Sequence, residues 1–381
     1  MSAAPDFAVM GWCPGALRPM MSGDGLVVRV RPLGGRLTQA QAMAVAMAAQ
    51  AHGNGLIDLS ARGNVQLRGV TEATHPALIA DLRGLDLIDA DAQAEARRNV
   101  LVTPFVDDSA DDLAASLGAA LTDAPDLPGK FGFAVDSGPA PVLQDIAADI
   151  RLERAADGGL ILRCDGAALG ARVSAADAPA KAVALAQWFV DAGGVTDGRG
   201  RMAALIRRGV MPVGALAGTV PPAKAVAAPG PGLVPQGALV GFAFGQMQAA
   251  TLTALAGLGD LRVTPWRMLL VEGLTRMPDL PDLIVTPDHP LRRVVACTGK
   301  PGCLQAHRAV RHIARSLAPQ VPQGRLLHVS GCAKGCAHPG RADATLVATP
   351  QGFDLIRGGC AQDPAEVKGL SETAILARGP F

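Results

Sequence analysis

An internal repeat is the feature that most constrains the fold of this chain. Residues 26–70 and 239–274 each read as a strand, an amphipathic helix, a second strand, a turn and a third strand. In the first copy, Val28 and Val30 alternate with arginines, as in a half-buried strand, and residues 43–51 then follow a helical period. The interleaved strands and helices predict a chain of the α/β or α+β class.

A second pair of similar segments follows the repeat in the same order. ARRNVLVTP at 96–104 matches LRRVVACTG at 291–299, and a Pro/Gly/Ala-rich stretch at 211–237 separates the two halves as a linker would. The competing interpretation is a chance likeness between two segments of an alanine-rich protein. The matching order favours duplication, and it predicts five segments: half-repeats at 20–92 and 238–288, lobes at 93–208 and 289–381, and a linker at 209–237.

Composition excludes several classes of protein. The 381 residues are 49% hydrophobic and 18% charged, which is typical of globular chains and not of disordered ones. The net charge is +1, prolines interrupt the longest uncharged stretch, and no basic start followed by an apolar run opens the chain. We therefore expect a cytoplasmic protein with reduced cysteines, no membrane span and no nucleic-acid partner. Because no GxGxxG or GxxxxGK[ST] motif is present, any electrons must come from an external donor.

Four of the seven cysteines lie within one stretch of forty residues. Five residues separate Cys297 from Cys303, and three separate Cys332 from Cys336. Four thiolates can hold a tetrahedral zinc ion or a 4Fe-4S cluster, but zinc knuckles usually place two residues between paired cysteines. The wider spacing favours the cluster, with zinc and unrelated buried cysteines as the other interpretations. No role is predicted for the remaining three: Cys13, Cys164 and Cys360.

The segment that carries these cysteines is strongly basic. Residues 292–341 contain nine lysines and arginines and no acidic residue, so they carry +9 and the rest of the chain −8. An anionic cluster and an anionic substrate both favour such a segment, whereas the aromatic side chains on which RNA bases stack are absent from it. An apolar stripe over 304–317 predicts a helix that begins just after Cys303 and stabilises its thiolate. The opposite face, which includes Arg311, is interpreted mostly as solvated surface.

Taken together, these residues resemble the sirohaem-dependent sulfite and nitrite reductase superfamily over most of the chain, about residues 26–360. The resemblance rests on the C-x5-C and C-x3-C pairs near the C-terminus, on RGNVQLRG early, and on RRNVLVTP and LPGKFGFAVD between them. It implies an α+β fold with α/β lobes, in which two repeats form a central ferredoxin-like unit between two lobes. Within the superfamily, the short length favours the precorrin-3B synthases.

The resemblance also implies a site for an anion. In the reductases four cations surround the anion at the sirohaem, and the matching positions here are Arg62, Arg98, Lys130 and Gly132. Because the fourth position lacks its lysine, a sulfite or nitrite pocket would lose a charge and a donor. In a precorrin-3B synthase the tetrapyrrole is the substrate, and Arg62, Arg98 and Lys130 would hold its carboxylates. We expect this site where the central unit and the two lobes meet.

The function that the resemblance implies is an oxygen-dependent monooxygenase of aerobic cobalamin biosynthesis, which hydroxylates precorrin-3A and forms a lactone. A 4Fe-4S cluster on the four cysteines would relay electrons from an external NADH-dependent donor, and Cys336 would face the reaction site. A mononuclear non-haem iron is also implied for dioxygen, and four unassigned histidines lie nearby: His307, His312, His328 and His338. The alternatives are a sirohaem-dependent sulfite or nitrite reductase, and a non-catalytic iron-sulfur or zinc binding protein.

Overall fold

The computed structural model describes residues 14–105 and 108–381, so Cys13 lies outside the described residues. The described chain forms four sheets, two in a central unit and one in each of two lobes. This arrangement confirms the predicted α+β class and its duplicated architecture. No helix in the described part is long and apolar enough to cross a membrane.

The first repeat follows the predicted order of elements. Its long helix begins at a capping box, in which Thr38 Oγ1 accepts from the Gln41 amide at 3.2 Å and Gln41 Oε1 accepts from the Thr38 amide at 3.1 Å. The elements are β1 Met20–Ser22, β2 Gly25–Val30, β3 Arg36–Leu37, α1 Gln39–His52, β4 Leu56–Leu59, β5 Val65–Val70 and α2 His75–Arg83.

The first lobe follows directly. Its sheet has the order β10-β9-β8-β7-β6, with the β6–β7 and β7–β8 pairs parallel and the other pairs antiparallel. Its elements are α3 Ala92–Arg97, β6 Val100–Val102, α4 Asp108–Ala120, β7 Phe133–Asp136, β8 Ile150–Arg154, β9 Leu160–Cys164, β10 Ala171–Arg172, α5 Ala178–Asp191 and α6 Met202–Arg207.

The second repeat has the same order of strands and long helix as the first. A further short strand, β16, pairs with β12 at its edge. The elements are β11 Gly232–Val234, β12 Gly237–Phe242, β13 Gln246–Gln248, α7 Ala249–Ala256, β14 Leu261–Val263, β15 Met268–Glu272 and β16 Leu283–Ile284.

The second lobe repeats the topology of the first. Its sheet has the order β17-β18-β19-β20-β21, again with two parallel pairs followed by two antiparallel pairs. Its elements are β17 Val294–Ala296, α8 Arg311–Leu317, β18 Leu327–Ser330, β19 Ala342–Thr349, β20 Gly352–Gly359, β21 Val367–Leu370 and α9 Glu372–Arg378.

The two repeats exchange strands. β13 of the second repeat pairs with β4 of the first, and β3 of the first repeat pairs with β14 of the second. The helices α1 and α7 share one apolar core, in which Val45 and Ala49 of α1 lie with Leu252 and Leu255 of α7. The central unit is therefore built from both halves of the chain.

The topological match between the lobes extends to single residues. In the first lobe the Thr103 amide donates to the Val135 carbonyl at 2.9 Å, and in the second lobe the Cys297 amide donates to the Val329 carbonyl at 3.3 Å. Thr103 thus occupies, at the end of β6, the position that Cys297 occupies at the end of β17. The two lobes share a framework, but the four paired cysteines belong to the second lobe alone.

The stretch predicted as a linker is tied to the first lobe. The Gly170 amide donates to the Val220 carbonyl at 2.8 Å, and the Ala223 amide donates to the Arg154 carbonyl at 2.8 Å. The end of the stretch contains β11, which pairs with β12. The connection between the halves therefore runs along the surface of the lobe.

The helix predicted over 304–317 is wrong in its first seven residues, because α8 begins at Arg311. Residues 304–310 instead form turns whose amides and carbonyls bond to neighbouring loops, as the His307 amide does to the Gly331 carbonyl at 2.8 Å. Leu304, which completed the predicted apolar stripe, is 71% exposed. No helix N-terminus therefore lies at Cys303.

Candidate functional site

A cavity of about 450 Å³ lies between the central unit and the second lobe. Both repeats contribute to its walls, through Asp58 and Arg62 of the first and Phe244 and Arg267 of the second. Its volume is in the range of small-molecule sites, and such sites prefer the interfaces between structural units. The first lobe reaches this region through Lys130, whose carbonyl accepts from Arg62 Nη2 at 3.1 Å.

All four cysteines of the predicted cluster line this cavity: Cys297, Cys303, Cys332 and Cys336. Cys332 is buried, Cys297 and Cys303 are half-buried, and Cys336 is exposed. The amide of Gly331 donates to Cys297 Sγ at 3.0 Å, a contact that stabilises a sulfur carrying negative charge. The structure therefore brings together the two pairs that the sequence separates by twenty-eight residues.

The thiols surround a space and do not converge on a point. Within residues 14–105 and 108–381, no three side chains of His, Cys, Asp or Glu are arranged to hold a metal ion. A single zinc ion, with Zn–S bonds of about 2.3 Å, would require such convergence. A donor set of four thiols around an open cavity fits a larger thiolate-ligated group, such as an iron-sulfur cluster, better than it fits zinc.

The first cysteine loop is held against the first repeat. Arg68 on β5 donates from Nη2 to the Gly302 carbonyl at 2.7 Å, and Ser22 Oγ donates to the same carbonyl at 2.5 Å. A Cβ at Gly23 would lie 2.0 Å from the Pro301 carbonyl oxygen, so only glycine permits this approach. The position of Cys303 thus depends on contacts with the turn between β1 and β2.

The lining of the cavity is electropositive apart from the thiols. Of the described residues that line the cavity, four are arginines, one is an aspartate and none is a lysine or glutamate. The arginines are Arg29, Arg62, Arg267 and Arg311. The one carboxylate belongs to Asp58, which is buried and accepts from Gln246 Nε2 at 2.8 Å. An excess of cations in a partly enclosed site favours an anionic ligand.

The predicted anion-binding residues are only partly brought together. Arg62 lines the cavity, and Lys130 is exposed beside it. Arg98 does not line the cavity, because its guanidinium is engaged with the Asp89 carboxylate through Nε at 2.6 Å and Nη2 at 2.9 Å. A Cβ at Gly132 would lie 2.6 Å from Asn99 Nδ2 and 3.2 Å from Arg62 Nη1. The space that a second lysine would need is therefore occupied.

Arg311 was missed by sequence reasoning, which interpreted its face of the helix as solvated surface. Its side chain is 15% exposed, its Nε donates to the Cys297 carbonyl at 3.2 Å, and its Nη1 lies 3.9 Å from Asp58 Oδ1. Its guanidinium also lies 5.8 Å from the centre of the Phe244 ring. Burial lowers the pKa of Arg311 from its usual value. The excess of basic residues over 292–341 was the signal for this residue, but it did not select one arginine.

The four histidines near the cysteines do not form a common site within the described chain. His312 is exposed and lies 3.1 Å from Glu372 Oε2, and His338 Nε2 lies 3.0 Å from the Arg341 carbonyl. His328 is fully buried on β18 of the lobe sheet, and its ring stacks edge-to-face on His338 at 5.8 Å. The structure therefore assigns no ligand for a second iron.

Two described cysteines, Cys164 and Cys360, have no predicted role and lie away from the cavity. Cys164 is buried in the apolar core of the first lobe, where burial raises its thiol pKa to about 12. Cys360 is half-buried near the end of β20, and its amide donates to Asp363 Oδ2 at 2.9 Å. Neither thiol lines the cavity.

Comparisons with known proteins place this geometry in a family. The profile of the nitrite/sulfite reductase ferredoxin-like half domain matches residues 18–85, which contain the first repeat. A curated protein of Sinorhizobium sp named precorrin-3B synthase is 30% identical over an alignment of 395 positions that covers 92% of this chain and 83% of that protein. The chain belongs to the precorrin-3B synthase family. This assignment confirms the resemblance that the cysteine spacing and the repeat motifs indicated.

A solved structure shares the fold of this precorrin-3B synthase family member. The NirA protein of Mycobacterium tuberculosis superposes with a TM-score of 0.64 at 21% identity, over 88% of this chain and 74% of that chain. Within a precorrin-3B synthase, the cavity between the two repeats and the cysteine lobe is the candidate active site of an enzyme.

Proposed function

We propose that this chain is an NADH- and dioxygen-dependent monooxygenase that hydroxylates precorrin-3A and forms a lactone in aerobic cobalamin biosynthesis. The observation that carries the proposal is that four thiols and four arginines line one cavity in a member of the precorrin-3B synthase family. Thiols suit a redox cofactor, and arginines suit a polycarboxylate substrate. A cytoplasmic location belongs to the same proposal, because the thiols must stay reduced until the cofactor is assembled.

The overall reaction balances as a monooxygenation. The O–O bond breaks, one oxygen atom forms a new C–O bond at a meso carbon of the tetrapyrrole, and the other leaves as water. Two electrons and two protons are consumed, and the electrons come from NADH through an external donor. The oxygen on the meso carbon also bonds to the adjacent ring carbon as the double bond between the two carbons is lost. A carboxyl group of the substrate then attacks that ring carbon to close the lactone, the C–O bond at the ring carbon breaks, and the oxygen left on the meso carbon takes the carboxyl proton to become the hydroxyl. The chain's own contribution is to bind the substrate, to orient the meso carbon and to hold the redox cofactor.

Cys297, Cys303, Cys332 and Cys336 are the proposed ligands of a 4Fe-4S cluster. When bound, such a cluster supplies one-electron transfer between the external donor and the site. The Gly331 amide at 3.0 Å from Cys297 Sγ and the neighbouring guanidinium of Arg311 both favour a negatively charged cofactor. A mononuclear iron for dioxygen stays part of the proposal without assigned ligands.

Arg62, Lys130 and Arg98 are the proposed partners of the substrate carboxylates. Arg62 has the strongest support, because it lines the cavity and contacts the first lobe through the Lys130 carbonyl. Lys130 is placed to act at the rim. Arg98 would have to release Asp89 before it could contact a ligand.

Purification under anaerobic conditions tests the proposal. A broad iron-sulfur absorption with about four irons per chain supports the cluster, and conversion of precorrin-3A in 18O2, with one labelled oxygen in the product, supports the reaction. A sirohaem Soret band together with sulfite or nitrite reduction would overturn the proposal in favour of a reductase. A colourless protein that contains zinc would overturn both enzyme functions.

Serine substitutions test the ligand set. Cys303→Ser should lose the absorption and most of the iron, whereas Cys360→Ser is a matched control because its thiol lies outside the cavity. Retention of full iron and colour in Cys303→Ser would show that the ligand set is wrong.

A further inference from the structure

The second repeat places side chains at two backbone positions that the first repeat gives to glycine. Arg267 has φ +59° where Gly63 has φ +63°, and Phe244 has φ +60° where Gly34 has φ +60°. A positive φ is unfavourable for residues with a Cβ, least so for Asn and Asp, and the strained examples tend to cluster at functional sites. Both Arg267 and Phe244 line the cavity that contains the cysteines.

The register of the two hairpins establishes the equivalence of Arg267 and Gly63. Leu59 pairs with Val65 in the first repeat and Val263 pairs with Leu269 in the second, so residues 60–64 and 264–268 form corresponding turns. In each turn the amide of the first residue donates to the carbonyl of the last, at 2.9 Å and 3.0 Å respectively. Arg267 and Gly63 are both the fourth residue of their turn. The arginine therefore stands in a turn that tolerates glycine without strain.

The guanidinium of Arg267 is held by no direct contact from the described part of the chain, although the charge of Asp58 acts on it and partly offsets the lowering of its pKa by burial. No described residue forms a hydrogen bond or an ion pair with it, although Arg62 donates to Lys130 and Arg311 donates to Cys297 in the same cavity. Its side chain is half-buried and packs on Gly245, where a Cβ would lie 2.7 Å from that of Arg267. A half-buried guanidinium whose donors form no hydrogen bond is costly, even with the charge of Asp58 nearby, and a strained backbone adds to that cost.

We propose that Arg267 binds a carboxylate of the substrate in this cavity. The inference depends on the proposed function only for the identity of the ligand as a polycarboxylate tetrapyrrole. An arginine can form two parallel hydrogen bonds to one carboxylate, which would satisfy the unpaired donors and repay the strain. The alternative explanation is that Arg267 only offsets the charge of the cofactor. Measurements of ligand affinity and of reduction potential distinguish the two explanations.

Substitutions at this turn test the proposal with metal-free uroporphyrin as a polycarboxylate probe. Arg267→Asn keeps a residue that tolerates positive φ but removes the charge, and Arg267→Lys keeps the charge but not the two-pronged geometry. Arg276→Asn is the matched control, because Arg276 is an exposed arginine of the same half of the chain outside this cavity. Fluorescence titration at low and high salt, the melting temperature and the reduction potential are measured for each holoprotein.

We expect Arg267→Asn to weaken uroporphyrin binding about 10- to 100-fold at low salt, since charged hydrogen bonds contribute on that scale. Arg267→Lys should have an intermediate affinity, and Arg276→Asn should bind as wild type does. The melting temperature of Arg267→Asn should be no lower than that of wild type, because the strain and the cost of the unbonded guanidinium are both relieved.

Three outcomes would overturn the inference, and each differs from a failure of the proposed function. Unchanged uroporphyrin affinity in Arg267→Asn overturns it while wild-type turnover of precorrin-3A persists. A shifted reduction potential with unchanged affinity assigns Arg267 to the cofactor. A fall in melting temperature that also occurs in Arg267→Lys assigns it a structural role. If the wild-type protein neither binds uroporphyrin nor converts precorrin-3A, the proposed function and the ligand assignment both fail.

Discussion

Arg68 and Asp24 form a two-pronged ion pair beneath the first cysteine loop. Arg68 Nη2 lies 2.5 Å from Asp24 Oδ1, and Arg68 Nε lies 3.1 Å from Asp24 Oδ2. The two side chains are 6% and 14% exposed, so the pair is largely shielded from water. The same guanidinium nitrogen that meets Asp24 also bonds to the carbonyl of Gly302. The pair therefore links the first repeat to the residue before Cys303.

Arg68→Met should lower the free energy of unfolding by about 3 kcal/mol, because it leaves a shielded carboxylate without its partner. It should also reduce the amount of cofactor retained, since Gly302 loses a donor. Urea denaturation and iron analysis of the purified variant measure the two effects. Arg325→Met removes an exposed pair with Asp343 in the second lobe, and we expect a much smaller loss because water screens that pair. Equal losses in the two variants would contradict the prediction.

His328 should make the protein less stable in mild acid. It is fully buried, and neither ring nitrogen has a hydrogen-bond partner among the residues described. Burial, with a smaller contribution from His338, lowers the pKa of His328 from 6.5 to about 4. The unfolded chain therefore binds more protons between these values, and stability is lost as the pH falls from 6.5 towards 4. Below the lower value the loss is complete.

His328→Leu removes this titration. Relative to wild type, its free energy of unfolding should rise by about 2 kcal/mol on going from pH 7 to pH 5. Urea denaturation at the two pH values provides the measurement, and His312→Leu, at an exposed position of α8, is the control. A difference between wild type and His328→Leu that does not change with pH would show that the imidazole does not titrate in this range.

Asp136 should have the opposite effect on the pH dependence. Its Oδ2 accepts from the amides of Val142 and Leu143 at 2.9 and 2.7 Å, while its Oδ1 has no partner within the described chain. Burial raises the pKa of Asp136 from 3.8 to about 6. The folded chain therefore binds more protons between these values, and stability is lost as the pH rises from 3.8 through 6.

The side chain introduced by Asp136→Asn does not ionise, so this variant does not lose stability by this route as the pH rises. Relative to wild type, its free energy of unfolding should rise by about 2 kcal/mol between pH 4 and pH 8. Asp145→Asn changes an exposed carboxylate in the loop that follows β7 and serves as the control for urea denaturation. If Asp145→Asn shows the same change with pH, the effect cannot be assigned to Asp136.

Gly331→Ala should disturb the cysteine site without removing a thiol. A Cβ at this position would lie 2.7 Å from Ala306 Cβ and 3.3 Å from Cys297 Sγ. The crowding forces the loop to move, at a cost of about 1–3 kcal/mol, and weakens the hydrogen bond from the Gly331 amide to Cys297. We expect a lower iron content and a lower reduction potential. Gly340→Ala, whose Cβ would meet only the His338 ring at 3.4 Å, should leave both unchanged.

The repeated architecture could be predicted because its evidence is periodic and occurs twice. The alternation around Val28 and the helical spacing over 43–51 are properties of local sequence. The exchange of β3 and β13 could not be predicted, because strands of two and three residues carry too little pattern to indicate their partners. The helix over 304–317 was wrong for a related reason. The apolar spacing over 304–317 is helical, but backbone groups of residues 304–310 form hydrogen bonds with neighbouring loops, such as the loop at Gly331, and do not form helical ones.

The cysteines of the site were predictable because their spacing is itself the signal. The arginines were harder, since a charged side chain at the surface and one in a cavity look alike in sequence. Arg98 was predicted to bind a carboxylate of the ligand, but its guanidinium pairs with the carboxylate of Asp89 in the same chain. Arg267 lines the cavity but was not predicted to do so, because an arginine in the sequence does not indicate a turn with positive φ. Aligning its turn with Gly63 of the first repeat would have identified the position.

The exchanged strands make the two repeats inseparable. If the second repeat were removed, the first would lose β13 from the edge of its sheet, and α1 would expose the side that packs on α7. Removal of the first repeat would likewise take β3 from the second sheet and expose α7. The central unit therefore resembles an obligate dimer whose two subunits are joined in one polypeptide, with neither subunit stable as a monomer. One consequence concerns evolution after duplication. Because each half depends on the other, the two copies can differ at equivalent positions, as they do at Phe244 and Arg267, while the shared scaffold stays intact.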